Sequence, residues 1–268
     1  MKIFAVRDEK APEAKDLAYL IYYEKSKRFY IELPDDADPW DTPLILDSFA
    51  SRGERSINAY WSRLWVQQRI IPPDRQNLGE ILKKNGMDSY DEYTLLTLAE
   101  GRCAQDDYYL IPIAELPESF SPRYRYKVKD AVPLANYHLL VFFQDNSVKK
   151  VNIARIFGDE RRFAPVLTNE SIFQSLSVQP GGYGVTWGVD TDIADSDLFR
   201  HGRKISLDMD DFKRFVSTQI VSSAEAADFL ECSRQNIDDL IHRDKLHPVK
   251  VTGKSKLFLK GEILQRTW

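Results

Sequence analysis

The stretch from Ile220 to Trp268 constrains the fold more than any other part of the chain, because its helix start and stop signals lie only a few residues apart. Ser222 and Glu225 have the spacing at which an N-cap hydroxyl and an N3 carboxylate satisfy two orphan helix donors reciprocally. Ala226, Ala227 and Leu230 give the helix that follows an apolar face, and the alanines are small enough to let a second helix cross closely. Glu231-Cys232 marks the turn. Ser233 then caps a second helix running to about Arg243, in which Ile237, Leu240 and Ile241 recur at three-four spacing and face the core. Its outer face carries Gln235, Asp239 and His242, flanked by Asn236, Asp238 and Arg243. Val249 to Val251 and Leu257 to Leu259 are β-prone, and Thr252 to Lys256 between them is a small, basic hairpin tip.

A helix-turn-helix followed by a β-hairpin wing is the expected outline, and it points to double-stranded DNA rather than a catalytic pocket. The run from Val221 through Ile237 to Leu246 and Lys260 resembles the excisionase-like and MerR-like winged helix-turn-helix family. The resemblance covers under a fifth of the chain. It implies that the second helix enters the major groove with Arg234, Gln235 and Asn236 near base edges, and that Lys250, Lys254 and Lys256 meet phosphates. Ser233, Asp239, His242 and Arg243 complete the candidate DNA-binding set. The run departs from the family in two ways: Glu231 stands where it usually has glycine, and Asp238 and Asp239 put carboxylates on or beside a face meant for a polyanion. The alternative is a protein-docking module of the same shape, its lysines forming a solvated face.

Charge is distributed in keeping with a basic C-terminal end. The chain of 268 residues has a net charge of -4, made up of -5 in residues 1–126, -2 in 127–211 and +3 in 212–268. A surplus that small predicts a homodimer pairing two half-sites rather than tight binding by one copy. No run of apolar residues is long enough for a membrane helix, and Met1-Lys-Ile-Phe-Ala-Val-Arg lacks the apolar stretch of a signal peptide, so a cytoplasmic protein with no membrane partner is expected. Cys103 and Cys232 are the only cysteines; they are expected as reduced, small buried hydrophobes and exclude a disulfide framework.

The length predicts two or three domains, and breaker residues place their edges. Pro112, Pro117 and Pro122 end a first domain at about residue 121. A second spans 127–202, an amphipathic connecting helix 203–219, and the winged segment 220–268. The class is α+β, multidomain: a mixed α/β N-terminal domain, a small α+β domain built on a β-meander, and the C-terminal winged helix-turn-helix. In the middle domain, strands at Val128–Leu134, Tyr137–Phe143 and Val148–Ile153 precede a short helix at Thr168–Phe173 and a hairpin from Leu176 to Trp187 that turns through Gly181-Gly182-Tyr183-Gly184. The order Tyr137 to Asp145, Val151 to Ile153, Phe163, Phe173, Val185 to Trp187 and Asp192-Ile193 resembles the bacterial domain-of-unknown-function family 2442. Members of that family are often encoded beside toxin-antitoxin genes or fused to a helix-turn-helix, which implies regulation and transfers no catalytic residue.

The N-terminal domain opens with a strand at Lys2–Val6 and a hairpin of Leu17–Tyr23 and Arg28–Leu33. Ile57, Tyr60, Trp61, Leu64 and Trp65 form a helical apolar stripe, read as core and ended at Ile71 by Pro72-Pro73. Leu78–Asn85 and Tyr90–Glu100 read as helices stopped by Gly86 and Gly101. The segment Tyr93 to Arg102 with the strand Tyr108–Ile113 resembles the small N-terminal subdomain of HipA-type kinase toxins. No later segment supplies a kinase core.

Other chemistry is expected to be absent. Asp190, Asp192, Asp195 and Asp197 are spaced almost like a calcium loop but lack its glycine and glutamate. His138, His201, His242 and His247 have no partners at zinc spacing, so no metal and no cofactor is expected. The glycine turn leads into a strand, whereas a phosphate cradle needs a following helix. Asp35, Asp36, Asp38 and Asp41 read as a solvated loop. The leading function is a transcriptional regulator or antitoxin-like autoregulator, not an enzyme, whose first two domains sense, dimerise or hold a partner such as a toxin. The rival is a scaffold or adaptor. An enzyme would require Asp106, Asp107 and Arg102 gathered in one deep pocket.

Overall fold

The computed structural model describes all residues except Pro12, Val189, Asp190, Ser206, Leu207, Asp208 and Lys254, and gives the backbone alone for Met209, Asp210 and Phe212. The chain is α+β, with several small sheets in two compact units, Met1–Phe120 and Ser121–Trp268. Among the described residues no helix is long and apolar enough to cross a membrane.

The first unit is a five-stranded antiparallel sheet with helices packed on one face. Its elements are β1 (Lys2–Asp8), β2 (Ala18–Tyr23), β3 (Arg28–Glu32), α1 (Asp47–Ser51), β4 (Ser56–Ile57), α2 (Ala59–Gln67), α3 (Leu78–Lys84), α4 (Glu92–Leu98) and β5 (Tyr108–Ile113). The strand order is β4-β3-β2-β1-β5. Every residue of β2 is buried, so this central strand is covered on both sides and reads as a continuous apolar run instead of an alternation. Phe4, Leu20, Tyr22, Phe29 and Ile31 meet Trp65, Val66, Leu95 and Leu96 on the helical side, while Ala5 and Tyr19 pack with Phe120 on the other.

Helix α2 corrects the stripe expected as core. Trp65 is 1% exposed, but Trp61 is 38% and Tyr60 59% exposed, because only one edge of the short helix reaches the sheet. The helix also stops at Gln67, ahead of the prolines. Just beyond it Arg69 turns inward, its guanidinium 4.0 Å over the Trp65 ring and bonded through both terminal nitrogens to Asp106, at 2.9 and 2.6 Å. Arg69 Nη1 also donates to the Gly101 carbonyl at 3.1 Å. Desolvation acts to raise the pKa of Asp106, yet the Arg69 hydrogen bonds and charge outweigh it and hold the carboxyl below its usual value. Gly101 has φ +68°, and a Cβ there would stand 2.3 Å from Leu110 Cγ, so the turn joining α4 to β5 requires glycine on both counts.

The second unit contains two modules. The first runs through α5 (Ser121–Tyr124), β6 (Val128–Leu134), β7 (His138–Phe143), β8 (Val148–Asn152), α6 (Ile153–Phe157), α7 (Ala164–Thr168), α8 (Glu170–Gln174), β9 (Ser177–Val178), β10 (Gly184–Thr186), β11 (Asp192–Ala194), α9 (Asp195–His201) and β12 (Arg203–Lys204). Its strands form a sheet of order β12-β8-β7-β6 and a smaller one of order β11-β10-β9. Leu139, Val141, Phe143, Val151, Phe163, Phe173 and Val185 build the core between them. Lys127 and Asp195 form an ion pair of 3.1 Å inside this core, with side chains 4% and 6% exposed. The ammonium also lies 3.5 Å from the Tyr183 ring centroid.

The span read as one connecting helix opens with a short strand. Arg203 and Lys204 are taken up as an edge strand against β8, and among the described residues of the span α10 (Met209–Gln219) is the helical part. Phe215 of α10 packs on Phe142, with ring centroids 5.5 Å apart, and joins a second apolar cluster with Val132, Leu134 and Leu140. Phe212, expected on the same face, has no described side chain.

Candidate functional site

The last module consists of β13 (Ile220–Ser222), α11 (Ser223–Phe229), α12 (Arg234–His242), β14 (Lys250–Thr252), β15 (Ser255–Leu259) and α13 (Lys260–Gln265). The capping box forms: the Ser222 N–H donates to Glu225 Oε2 at 2.7 Å, and the Glu225 N–H donates to Ser222 Oγ at 3.3 Å. The Ser222 N–H and hydroxyl hold the Glu225 carboxyl below its usual pKa. Ala226 and Ala227 are buried, which lets α12 pack on α11 with Ile237 completely enclosed. Phe258, Leu246, Val221 and Ile263 complete the core.

The turn between the helices carries strain at one residue. Glu231 has φ +50°, the left-handed conformation that glycine adopts freely and a side chain resists. The Cys232 N–H donates to the Ala227 carbonyl at 3.0 Å across this turn, closing the helix end. Glu231→Gly is therefore expected to change stability by no more than about 1 kcal/mol, with strain relief opposing the entropy of a freer unfolded chain, and to leave the fold intact. Urea unfolding of the two proteins measures it; a loss of several kcal/mol would mean that the Glu231 side chain holds the turn.

Helix α12 begins at Ser233, whose Oγ accepts the Asn236 N–H at 3.2 Å. Ser233, Arg234, Gln235, Asn236, Asp239, His242 and Arg243 are all exposed, and Ile237 is the buried residue on the opposite side. The hairpin that follows is tighter than the sequence implied: Thr252 pairs with Ser255, leaving Gly253 (φ +58°) and Lys254 between them. Lys254 lies outside the described residues. Lys250 is exposed on β14. Lys256 sits within β15, not at a tip, and its Nζ bonds to Asp238 Oδ1 at 2.6 Å, which holds that carboxyl below its usual pKa. This pair ties the hairpin to α12 and neutralises one of the two acids on its surface.

Strand β13 and helix α13 carried little signal in the sequence. The three residues of β13 pair with β15, placing β15 at the centre of the sheet, and α13 buries Ile263 against α11. Gln265 of α13 donates to the Lys129 carbonyl at 3.0 Å, so the last helix is anchored on β6.

The other candidate groups do not converge. Asp106 is bonded to Arg69, Asp107 to Lys10 at 2.7 Å, and Arg102 to Glu9 at 2.6 Å. Asp192 lies 3.6 Å from Arg162, and Asp195 is the buried partner of Lys127; Asp190 is outside the described residues. Among the described residues no group of three or more His, Cys, Asp or Glu is placed to hold a metal ion. Gly181 and Gly182, with φ +68° and +74°, form a turn ahead of β10. Cys103 and Cys232 are free thiols, but both are partly exposed rather than buried: each lies at a loop or turn, with its sulfur 3.6 Å from Arg69 Nη1 and from the Ser233 carbonyl respectively.

No curated protein and no solved structure matches the chain. The model of one family does match, that of a protein of unknown function, DUF2442, over residues 128–204, a span that opens with the first residue of β6 and closes with the last of β12.

Proposed function

We propose that the protein is a cytoplasmic DNA-binding regulator that reads duplex DNA through a C-terminal winged helix-turn-helix, with α12 as the recognition helix and β14–β15 as the wing. The observation that carries this reading is the polar face of α12, where seven candidate contact residues stand exposed beside a hairpin fixed to the same helix by the Lys256–Asp238 pair. Arg234 suits guanine, and Gln235 and Asn236 suit adenine, while Lys250 suits a phosphate. Asp238 is neutralised within the module, so Asp239 is left as the carboxylate that would accept from a cytosine amino group. The modest surplus of positive charge favours a homodimer on two half-sites. The first two domains would sense a signal or hold a protein partner such as a toxin, and no catalytic step is assigned to them.

Selection of bound fragments from random duplexes, followed by anisotropy titrations over a salt series, tests this. Arg234→Ala is expected to cost about 1–3 kcal/mol and to relax preference at one base pair, whereas Lys250→Ala should weaken all sequences alike and lower the salt slope by about one. Unchanged binding by both variants would discard the reading. Val249 and Val251, 48% and 59% exposed on the wing, favour a second one in which the hairpin docks an apolar protein surface; that binding would ignore duplex DNA and depend weakly on salt.

A further inference from the structure

A half-enclosed cleft of about 590 Å³ in the middle module is lined by His138, Lys150, Arg155, Arg200, Arg203 and Lys204, with no carboxylate among the described residues that line it. The cations come from β8, α6, the end of α9 and β12, so the fold and not a single basic run gathers them. The pairing of β12 with β8 sets Arg203 opposite Lys150 and Lys204 opposite Lys149. Like charges directly across a ladder destabilise it. Lys150 is relieved by Asp211 at 3.0 Å, and Arg200 lies 3.9 Å from Asp197. Arg155, Arg203 and Lys204 have no acidic partner within ion-pair distance among the described residues. Lysine on an edge strand also discourages edge-to-edge pairing, but that role accounts for neither Arg155 on a helix nor the concavity between them.

We propose that this cleft binds a small, multiply charged phosphate compound, an inorganic or nucleoside polyphosphate, through Arg155, Arg203 and Lys204. A guanidinium presents parallel donors that match phosphate oxygens, and cations around a concave wall focus their field on an anion more than the same charges on a flat surface do. The volume is that of a small-molecule site. A duplex backbone needs an open track, and the hollow favours a compact ligand. Asn152 and the His138 ring stand on neighbouring paired strands, adding hydrogen-bonding groups at the same wall. The site is separate from the α12 surface and does not depend on the DNA-binding reading.

Isothermal titration of the full chain with sodium tripolyphosphate, and in a second arm with ATP, at constant ionic strength tests the proposal. Arg155→Gln/Arg203→Gln/Lys204→Gln is expected to weaken tripolyphosphate binding at least about tenfold, while Lys84→Gln, at an exposed lysine ending α3, leaves it unchanged. All three substituted residues are exposed, so the fold is expected to survive, and Arg155→Gln alone carries the same comparison should the triple variant misfold. Tighter binding of ATP than of tripolyphosphate identifies a nucleoside ligand, and equal binding an inorganic one. Absence of tripolyphosphate binding at millimolar concentration, or equal affinity in wild type and the substituted protein, overturns it. So does a cleft variant that loses duplex DNA while the wild type ignores tripolyphosphate, since the surface would then belong to nucleic acid.

Discussion

Lys127→Met is expected to destabilise the second unit by about 3–5 kcal/mol, because it removes the buried ammonium that faces the Asp195 carboxylate in the core. The pair is 3.1 Å long and almost completely enclosed, so water offers Asp195 little compensation. The double replacement Lys127→Met/Asp195→Leu removes both charges and is expected to recover most of the loss, since a buried pair seldom outperforms well-packed apolar side chains. Urea unfolding followed by circular dichroism measures both. A single variant as stable as wild type would show that the pair is not a structural charge couple, and a double variant as unstable as the single one would assign the cost to lost packing.

The second large effect belongs to Arg69. Arg69→Met retains an apolar stem over Trp65 but removes both hydrogen bonds to Asp106 and the one to the Gly101 carbonyl. A loss of about 3 kcal/mol is expected, at the lower end for a broken buried pair because the Asp106 side chain is 22% exposed. The pH response gives an independent reading. The pKa of Asp106 is lowered in the folded protein, so its ionisation stabilises above the unfolded value near 3.9 and that stability fades as pH falls through the folded value. Wild type should therefore lose stability below about pH 4 more steeply than Arg69→Met does. Equal acid sensitivity in the two proteins would refute a role for this bridge.

Legibility in the sequence followed the length and local regularity of each element. The strands β1, β2, β3, β6, β7 and β8 announce themselves as apolar runs between turn residues, and the α11–α12 pair is written in two N-caps and a three-four apolar pattern. Elements of two or three residues such as β4, β12 and β13 exist only because a distant strand accepts their hydrogen bonds, which no local window contains. Trp61 misled because helical spacing reports which residues share a face, not how wide a face the sheet can cover. Of the candidate interface, exposure of the α12 face followed from the position of Ile237, but the Lys256–Asp238 bond depended on the hairpin register. The cationic cleft was hidden for the same reason: Arg155 and Arg203 are far apart in the chain, and the only local trace was the cluster Arg200, Arg203 and Lys204.

The junction between α10 and β13 contains no spacer: Gln219 ends the helix and Ile220 begins the strand. The same helix rests on Phe142 through Phe215, and the same strand is zipped to β15, whose partner β14 carries Lys250. Helix and strand thus share one unbroken stretch of backbone, with the Phe142 contact on one side of the junction and the β13–β15 ladder on the other. Loosening Phe215 from its seat on Phe142 would therefore be felt directly at the β13 pairing, with no intervening loop to absorb the shift.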